Sequence, residues 1–202
     1  MLLIFSNDRF GLNKVVEAIS ELNKTETGQE LVAQLQNSCN NFIIKQAKDN
    51  PNGDKNEFEP FNSIASWANI EEMQKATGNT TGSMGSGGIV YWDPNNVTGG
   101  LNADRSIYRP SYIGLGHEFA HAGDSDLGLL YSKYDFKTYR AKHNGLLKCE
   151  WRAVYKENLI RSQVKSPHPL PLRMYYGYEL HDGEWKRGIP PMLIKDNNPI
   201  NY

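Results

Sequence analysis

Two histidines and a glutamate sit within five residues of one another in the segment Gly116-His117-Glu118-Phe119-Ala120-His121-Ala122. On a helix, residues four apart share a face and lie one turn from each other. His117 and His121 can therefore direct two imidazole nitrogens at one metal ion, at the ~2.0–2.1 Å of a zinc–nitrogen bond. Glu118 lies about 100° further round the same helix. It is placed to hold and deprotonate a water beside the ion without being a ligand itself. The pattern H-E-x-x-H is thus a hydrolytic zinc site on one turn of helix. The segment's other residues are compatible with that helix, since Tyr112, Leu115, Phe119 and Ala122 form an apolar stripe away from the histidines. Gly123 stands where a C-terminal cap is expected. Gly114 and Gly116 weaken a helix and call for a close neighbour, whether another backbone or a substrate.

A catalytic zinc takes three protein ligands and keeps a fourth position open. The extended pattern with a glycine and a third histidine downstream fails, because positions 124 and 127 hold Asp124 and Leu127. The best third ligand is Glu150, in the stretch Leu147 to Arg161, which has helical periodicity and neither proline nor glycine. Glu157 lies two turns further along the same face and is suited to accept a hydrogen bond from a ligand histidine. Its competing reading is a solvent-side pair with Arg161 at i+4. Asp124 and Asp126 are rival ligands placed where the helix should end. His143 and His181 become ligands only if Glu150 is not one.

These residues resemble a known family. Gly-His-Glu-Phe-Ala-His-Ala, followed by Glu150-Trp151-Arg152-Ala153-Val154-Tyr155 and then Glu157-Asn158, is similar to the zinc metallopeptidases found as bacterial type III effectors and as toxic tips of Rhs-type proteins. Those are distantly similar to the clostridial neurotoxin light chains. Their third ligand lies in a Glu-Leu-Arg segment, which Glu150-Trp151-Arg152 matches except for Trp. Lys24 to Leu31 and Gly87 to Pro94 resemble the family's first helix and the strand before the motif. Arg173-Met174-Tyr175-Tyr176 matches an Arg-x-x-Tyr whose Arg and Tyr stabilise the transition state in the neurotoxin relatives, so the resemblance implies catalytic roles for Arg173 and Tyr176. Their plainer reading is ordinary packing of a C-terminal tail. The resemblance implies an α+β, zincin-like fold: a small sheet, the H-E-x-x-H helix and a second ligand-bearing helix, with the zinc-site core over about 88–176. It further implies a zinc endopeptidase that cuts a specific protein target in a host or competitor cell. A cognate immunity protein or a secretion chaperone is a candidate partner.

The remaining chain must position this site. A single domain of 202 residues with 39% hydrophobic residues can bury a core of ordinary size. The net charge of −1 argues against nucleic acid as a partner, and no apolar run reaches the ~20 residues of a membrane span. Met1 to Phe5 is too short for a classical signal peptide. Export by a specialised secretion system, or excision from a longer protein, is the expectation, and a monomer is the expected state. Cys39 and Cys149 do not suggest a disulfide scaffold. Leu12 to Leu22 and Gly28 to Leu35 read as helices and Phe42-Ile43-Ile44 as a strand. Asp49 to Glu59 and Thr77 to Gly88 read as loops. Ile89, Val90, Tyr91 and Trp92 form a strand stopped by Asp93-Pro94 and are the candidate edge for pairing with an extended substrate. An interior strand is the alternative. The prolines at 167, 169 and 171 predict a tail of loops and short pieces. Two other functions compete with the effector protease: a housekeeping peptidase of small peptides, and a non-catalytic zinc-binding module. The intact Glu118 counts against the second.

Overall fold

The computed structural model describes residues 2–4, 9–63, 65–66, 85–130, 142–143, 146–165, 169–181 and 184–200. Its architecture is α+β. The expected first helix is α1 (Arg9–Leu22) and the second is α2 (Glu26–Asn37). Thr25 caps α2 by accepting from the Gly28 amide at 3.2 Å, as N-cap threonines do. Gly28 has no alternative at this corner, since a β-carbon there would stand 2.1 Å from the Leu22 carbonyl oxygen.

Strand β1 (Leu2–Ile4) pairs in parallel with β2 (Phe42–Gln46), and β2 with β4 (Gly88–Trp92). Strand β3 (Glu57–Pro60) closes the order β1-β2-β4-β3 by pairing antiparallel with β4. Two expectations change here. Ile89–Trp92 is interior, flanked by β2 and β3, so its backbone groups are already bonded and cannot add a substrate strand. The stretch 49–59 is not all loop, because its end forms the edge strand β3. The segment 77–84 lies outside the described residues, while Gly88 opens β4 under the ring of Phe58.

Helix α3 (Ser111–Asp126) carries the H-E-x-x-H motif and is the centre of the molecule. It packs on β3, β4, α1 and α2, and most extensively on α4 (Lys148–Gln163). Every residue from Ile113 to Ser125 is buried, the side carrying His117 and His121 included. An apolar stripe on one face therefore understates its burial. Phe42, Ile44, Val90, Leu115, Phe119 and Ile160 meet in the main core. Gly116 allows α1 and α4 to close on α3, since Leu22 and Ile160 methyls lie 3.0 Å from where its β-carbon would be. These are side chains, not the backbone or substrate that its sequence context suggested. Gly123 is not a cap either. The helix runs on to Asp126, with Leu127 as C-cap and the left-handed turn supplied by Gly128 at φ 69°.

Beyond α4 the tail is more regular than three prolines suggest. Strands β7 (Tyr175–His181) and β8 (Glu184–Met192) form an antiparallel hairpin, and β9 (Ile194–Lys195) pairs with β10 (Asn198–Pro199). The short pair β5 (Lys142–His143) and β6 (Leu146–Leu147) precedes α4. The side chains of His143 and His181 lie outside the described residues. Both cysteines are free, Cys149 buried in the core and Cys39 exposed. Among the described residues, no helix is long and apolar enough to cross a membrane.

Candidate metal centre

Two buried helices crossing at close range bring three side chains to one point. His117 and His121 come from adjacent turns of α3, and Glu150 from the first turn of α4. His117 Nε2 is 3.2 Å from His121 Nε2. Glu150 Oε2 is 3.4 Å from the first and 3.5 Å from the second. Ligand atoms ~2.05 Å from a tetrahedral ion stand about 3.3–3.4 Å apart. The triangle of two nitrogens and one oxygen therefore has the size of one face of a zinc tetrahedron. The rival ligands are used elsewhere. Asp124 receives a 2.6 Å bond from Arg152 Nε, and Asp126 accepts from Ser38 and Asn40.

Glu157 contacts one member of this set, His117. It is fully buried, and its Oε2 lies 3.1 Å from His117 Nδ1. A proton on Nδ1 leaves the Nε2 lone pair free for a metal. Its Oε1 accepts two bonds from Arg161, at 2.9 and 3.0 Å, and its Oε2 one from Arg173 at 3.1 Å. The bond to a ligand histidine and the pair with Arg161, considered as alternatives from the sequence, exist together. The Arg161 pair is buried rather than solvent-side, which the i+4 spacing alone did not reveal.

Burial and charge set the protonation of the site without metal. Burial alone would lower the pKa of His117, but hydrogen bonds to Glu150 and Glu157 raise it to about 9. Burial is also the largest influence on Glu150 and would raise it, yet the two histidines hold it well below the usual carboxylate range. For Glu157, burial is again outweighed, here by Arg173 and Arg161. Glu118 differs, because burial raises its pKa and the neighbouring histidines only partly offset this. Its carboxyl makes no hydrogen bond among the described residues and lines a cleft of about 520 Å³ together with His117, His121 and Glu150. A general base needs that combination of an upward-shifted pKa and an open approach.

Tyr176 stands on the cleft wall and donates from its hydroxyl to Glu150 Oε2 at 3.0 Å. Arg173 does not line the cleft. Its guanidinium bonds Glu157 and the Tyr176 carbonyl oxygen, the latter at 2.6 Å, and lies 4.7 Å over the Tyr176 ring. It holds Glu157 and the backbone and ring of Tyr176. A β-carbon on Gly100 would meet Arg173 Nε at 2.4 Å, so the glycine is what admits this arginine. The opposite wall is β3, every residue of which lines the cleft. Its one signal in the sequence is Pro60, because within a sheet proline favours edge strands.

No curated protein and no solved structure matches the chain significantly. The family model Peptidase_M91, described as effector protein, matches residues 7–167, a span that includes α1, strands β2, β3 and β4 of the sheet, the H-E-x-x-H helix and the whole of α4. A match over that length, with a buried His-His-Glu group at its centre, places the chain in the Peptidase_M91 family of effector proteins.

Proposed function

We propose that this chain is a zinc-dependent endopeptidase that acts as an effector, cutting a specific protein inside a host or competitor cell after delivery by a specialised secretion system. The observation that carries the reading is the triangle of His117, His121 and Glu150 at 3.2–3.5 Å, open to a cleft beside an unpartnered Glu118. His117, His121 and Glu150 would hold the ion. Zinc held there supplies a Lewis acid and brings the pKa of its water toward ~7. Glu118 accepts the proton of the attacking water and delivers it to the leaving amine. The Tyr176 hydroxyl, on the same wall, donates to the oxygen of the scissile carbonyl as charge develops on it.

Strand β3 supplies the track for substrate in place of Ile89–Trp92. Phe61 N–H bonds the Gly87 carbonyl at 2.9 Å, so Phe61, Glu59 and Glu57 direct their backbone groups toward β4. Phe58 N–H and C=O and the Pro60 carbonyl consequently point away from β4, to the edge that no strand among the described residues covers. An extended peptide adding there would bond Phe58 twice and pass the metal centre across the cleft. Pro60, with no N–H, ends that ladder.

Zinc analysis together with Glu118→Gln tests the reading. The wild-type chain should bind about one zinc and cleave its target. The variant should keep zinc and fold and lose at least ~10³-fold in kcat. Undiminished cleavage by Glu118→Gln overturns the hydrolytic mechanism, and cleavage of mixed short peptides as rapid as that of any folded target overturns the effector specificity.

A further inference from the structure

The pair Glu157-Asn158 ends the stretch of α4 that carries the family resemblance, and the metal centre accounts only for its first member. Asn158 is fully buried. Both ends of its carboxamide are spent on one residue of the tail. Its Oδ1 accepts from the Arg173 amide at 2.7 Å, and its Nδ2 donates to the Arg173 carbonyl oxygen at 3.0 Å.

Arg173 needs such a partner because of the way its segment runs. Residues 172–174 lie antiparallel to residues 101–103. Ala103 N–H donates to the Leu172 carbonyl at 2.9 Å, and Met174 N–H to that of Leu101 at 2.8 Å. Arg173 faces Asn102 in this bridge. As a member of the pair that exchanges no bonds, it turns its own N–H and C=O to the opposite side. Asn158 meets both groups there, as the next strand of a sheet would. Left unmet in the interior, either group would carry the full cost of its desolvation.

Through Arg173 this clasp reaches the metal centre. The Arg173 guanidinium donates to the Tyr176 carbonyl oxygen at 2.6 Å and lies 4.7 Å over the Tyr176 ring. The Tyr176 hydroxyl in turn donates to Glu150 Oε2 at 3.0 Å. Glu150 and Asn158 stand on the same helix, about 12 Å apart along its axis. One rigid element thus carries a metal-ligating carboxylate and grips the residue that holds the tyrosine beside it. Arg161 bonds the Pro171 carbonyl as well, but Asn158 grips the residue whose side chain touches Tyr176. Arg173 and Tyr176 lie beyond the matched residues 7–167, whereas Asn158 lies within them. The matched helix therefore sets the place of a site residue from the unmatched tail.

We propose that Asn158 is a positioning residue for Tyr176: its two bonds to the Arg173 backbone set where the Tyr176 hydroxyl stands beside Glu150. That this hydroxyl serves catalysis rests on the peptidase reading; its placement does not.

The test puts 3-fluorotyrosine at position 176 of the full chain and, in a separate sample, at position 112. Tyr112 packs against the main core and serves as the control. ¹⁹F spectra are recorded with zinc present for the wild type, Asn158→Ala and Asn158→Leu. Leucine has nearly the shape of asparagine, fills the space that alanine leaves and makes neither bond, so it carries the test if the alanine cavity unfolds the protein. In both variants the resonance at 176 should move toward its position in the urea-unfolded chain, while that at 112 stays in place. The second readout is kinetic, on the fastest-cut member of a proteome-derived peptide library. Asn158→Leu should lower kcat about 30-fold with KM changed by less than about threefold, and the loss should shrink below about threefold once Tyr176→Phe is present.

A resonance at 176 that does not move overturns the proposal, as does movement of both resonances together, which would mark a general loosening of the fold. An equal kcat loss with and without Tyr176→Phe overturns it too. A wild type that cuts no library member would count against the peptidase reading, and the ¹⁹F shifts would still decide the placement of Tyr176.

Discussion

Glu157→Gln is the perturbation that most directly probes how the metal centre is held. The two side chains have nearly the same shape, so the change removes charge and acceptor capacity and little else. Glu157 accepts four hydrogen bonds, two from Arg161 at 2.9 and 3.0 Å, one from Arg173 and one from His117 at 3.1 Å each. Glutamine offers one oxygen and one N–H₂. If the oxygen stays with Arg161, the N–H₂ faces two donors, Arg173 Nη1 and His117 Nδ1–H. Two buried arginines lose their only carboxylate partner among the described residues. Breaking a buried ion pair from one side costs about 3–5 kcal/mol, which for a domain of this size lowers Tm by roughly 6–20 °C.

The effect on metal follows from the tautomer. His117 escapes the donor clash by moving its proton to Nε2 and letting Nδ1 accept from glutamine. That proton then blocks the nitrogen that should bind zinc. Loss of such a supporting partner costs about 10–100-fold in metal affinity. Competition against a chromophoric chelator measures the affinity, and ¹⁵N shifts of the imidazole report the tautomer. If Glu157→Gln binds zinc within threefold of wild type with His117 still protonated at Nδ1, the orienting role assigned to Glu157 is refuted.

Three further outcomes follow from the same geometry. Glu150→Ala should lower zinc affinity by at least ~10³-fold, because two ligands cannot hold an open site; full zinc retention, measured by elemental analysis, would mean that another group ligates. Without metal, His117 is raised from 6.5 to about 9. Its stabilising contribution is thus complete below pH 6.5 and is lost as the pH rises through about 9, so the apo-protein's Tm should fall across that window. Zinc uptake at neutral pH should displace this proton and show affinity rising about tenfold per pH unit until pH 9, which calorimetry in buffers of different ionisation enthalpy would detect. Tyr176→Phe removes the O–H that reaches Glu150 at 3.0 Å; zinc affinity should change less than about tenfold while kcat falls on the order of 10²-fold, and an unchanged kcat would return Tyr176 to a packing role.

What the sequence revealed of this site, and what it hid, divides along one physical line. His117, Glu118 and His121 were legible because a single turn of helix sets their geometry, and Glu157 was legible relative to Glu150 because seven residues span two turns of one face. Meeting of the two helices was only inferable from chemistry, since nothing local says that Ile160 packs onto Gly116. Ile89–Trp92 announced a strand by its apolar run, but a run of side chains does not say how many neighbours its backbone has. The true edge, Glu57-Phe58-Glu59-Pro60, was hidden in a polar stretch with one buried apolar residue. The hairpin of β7 and β8 was hidden because its second strand holds two prolines, Pro190 and Pro191, which fall where the register shifts between the Ile189 and Met192 pairs. The edge of β3 and the carboxyl of Glu118 are groups left unpaired, among the described residues, around one cleft. Groups kept open for another chain cannot be recognised by matching residues within this one, which is why the receiving half of the site emerged only from the fold.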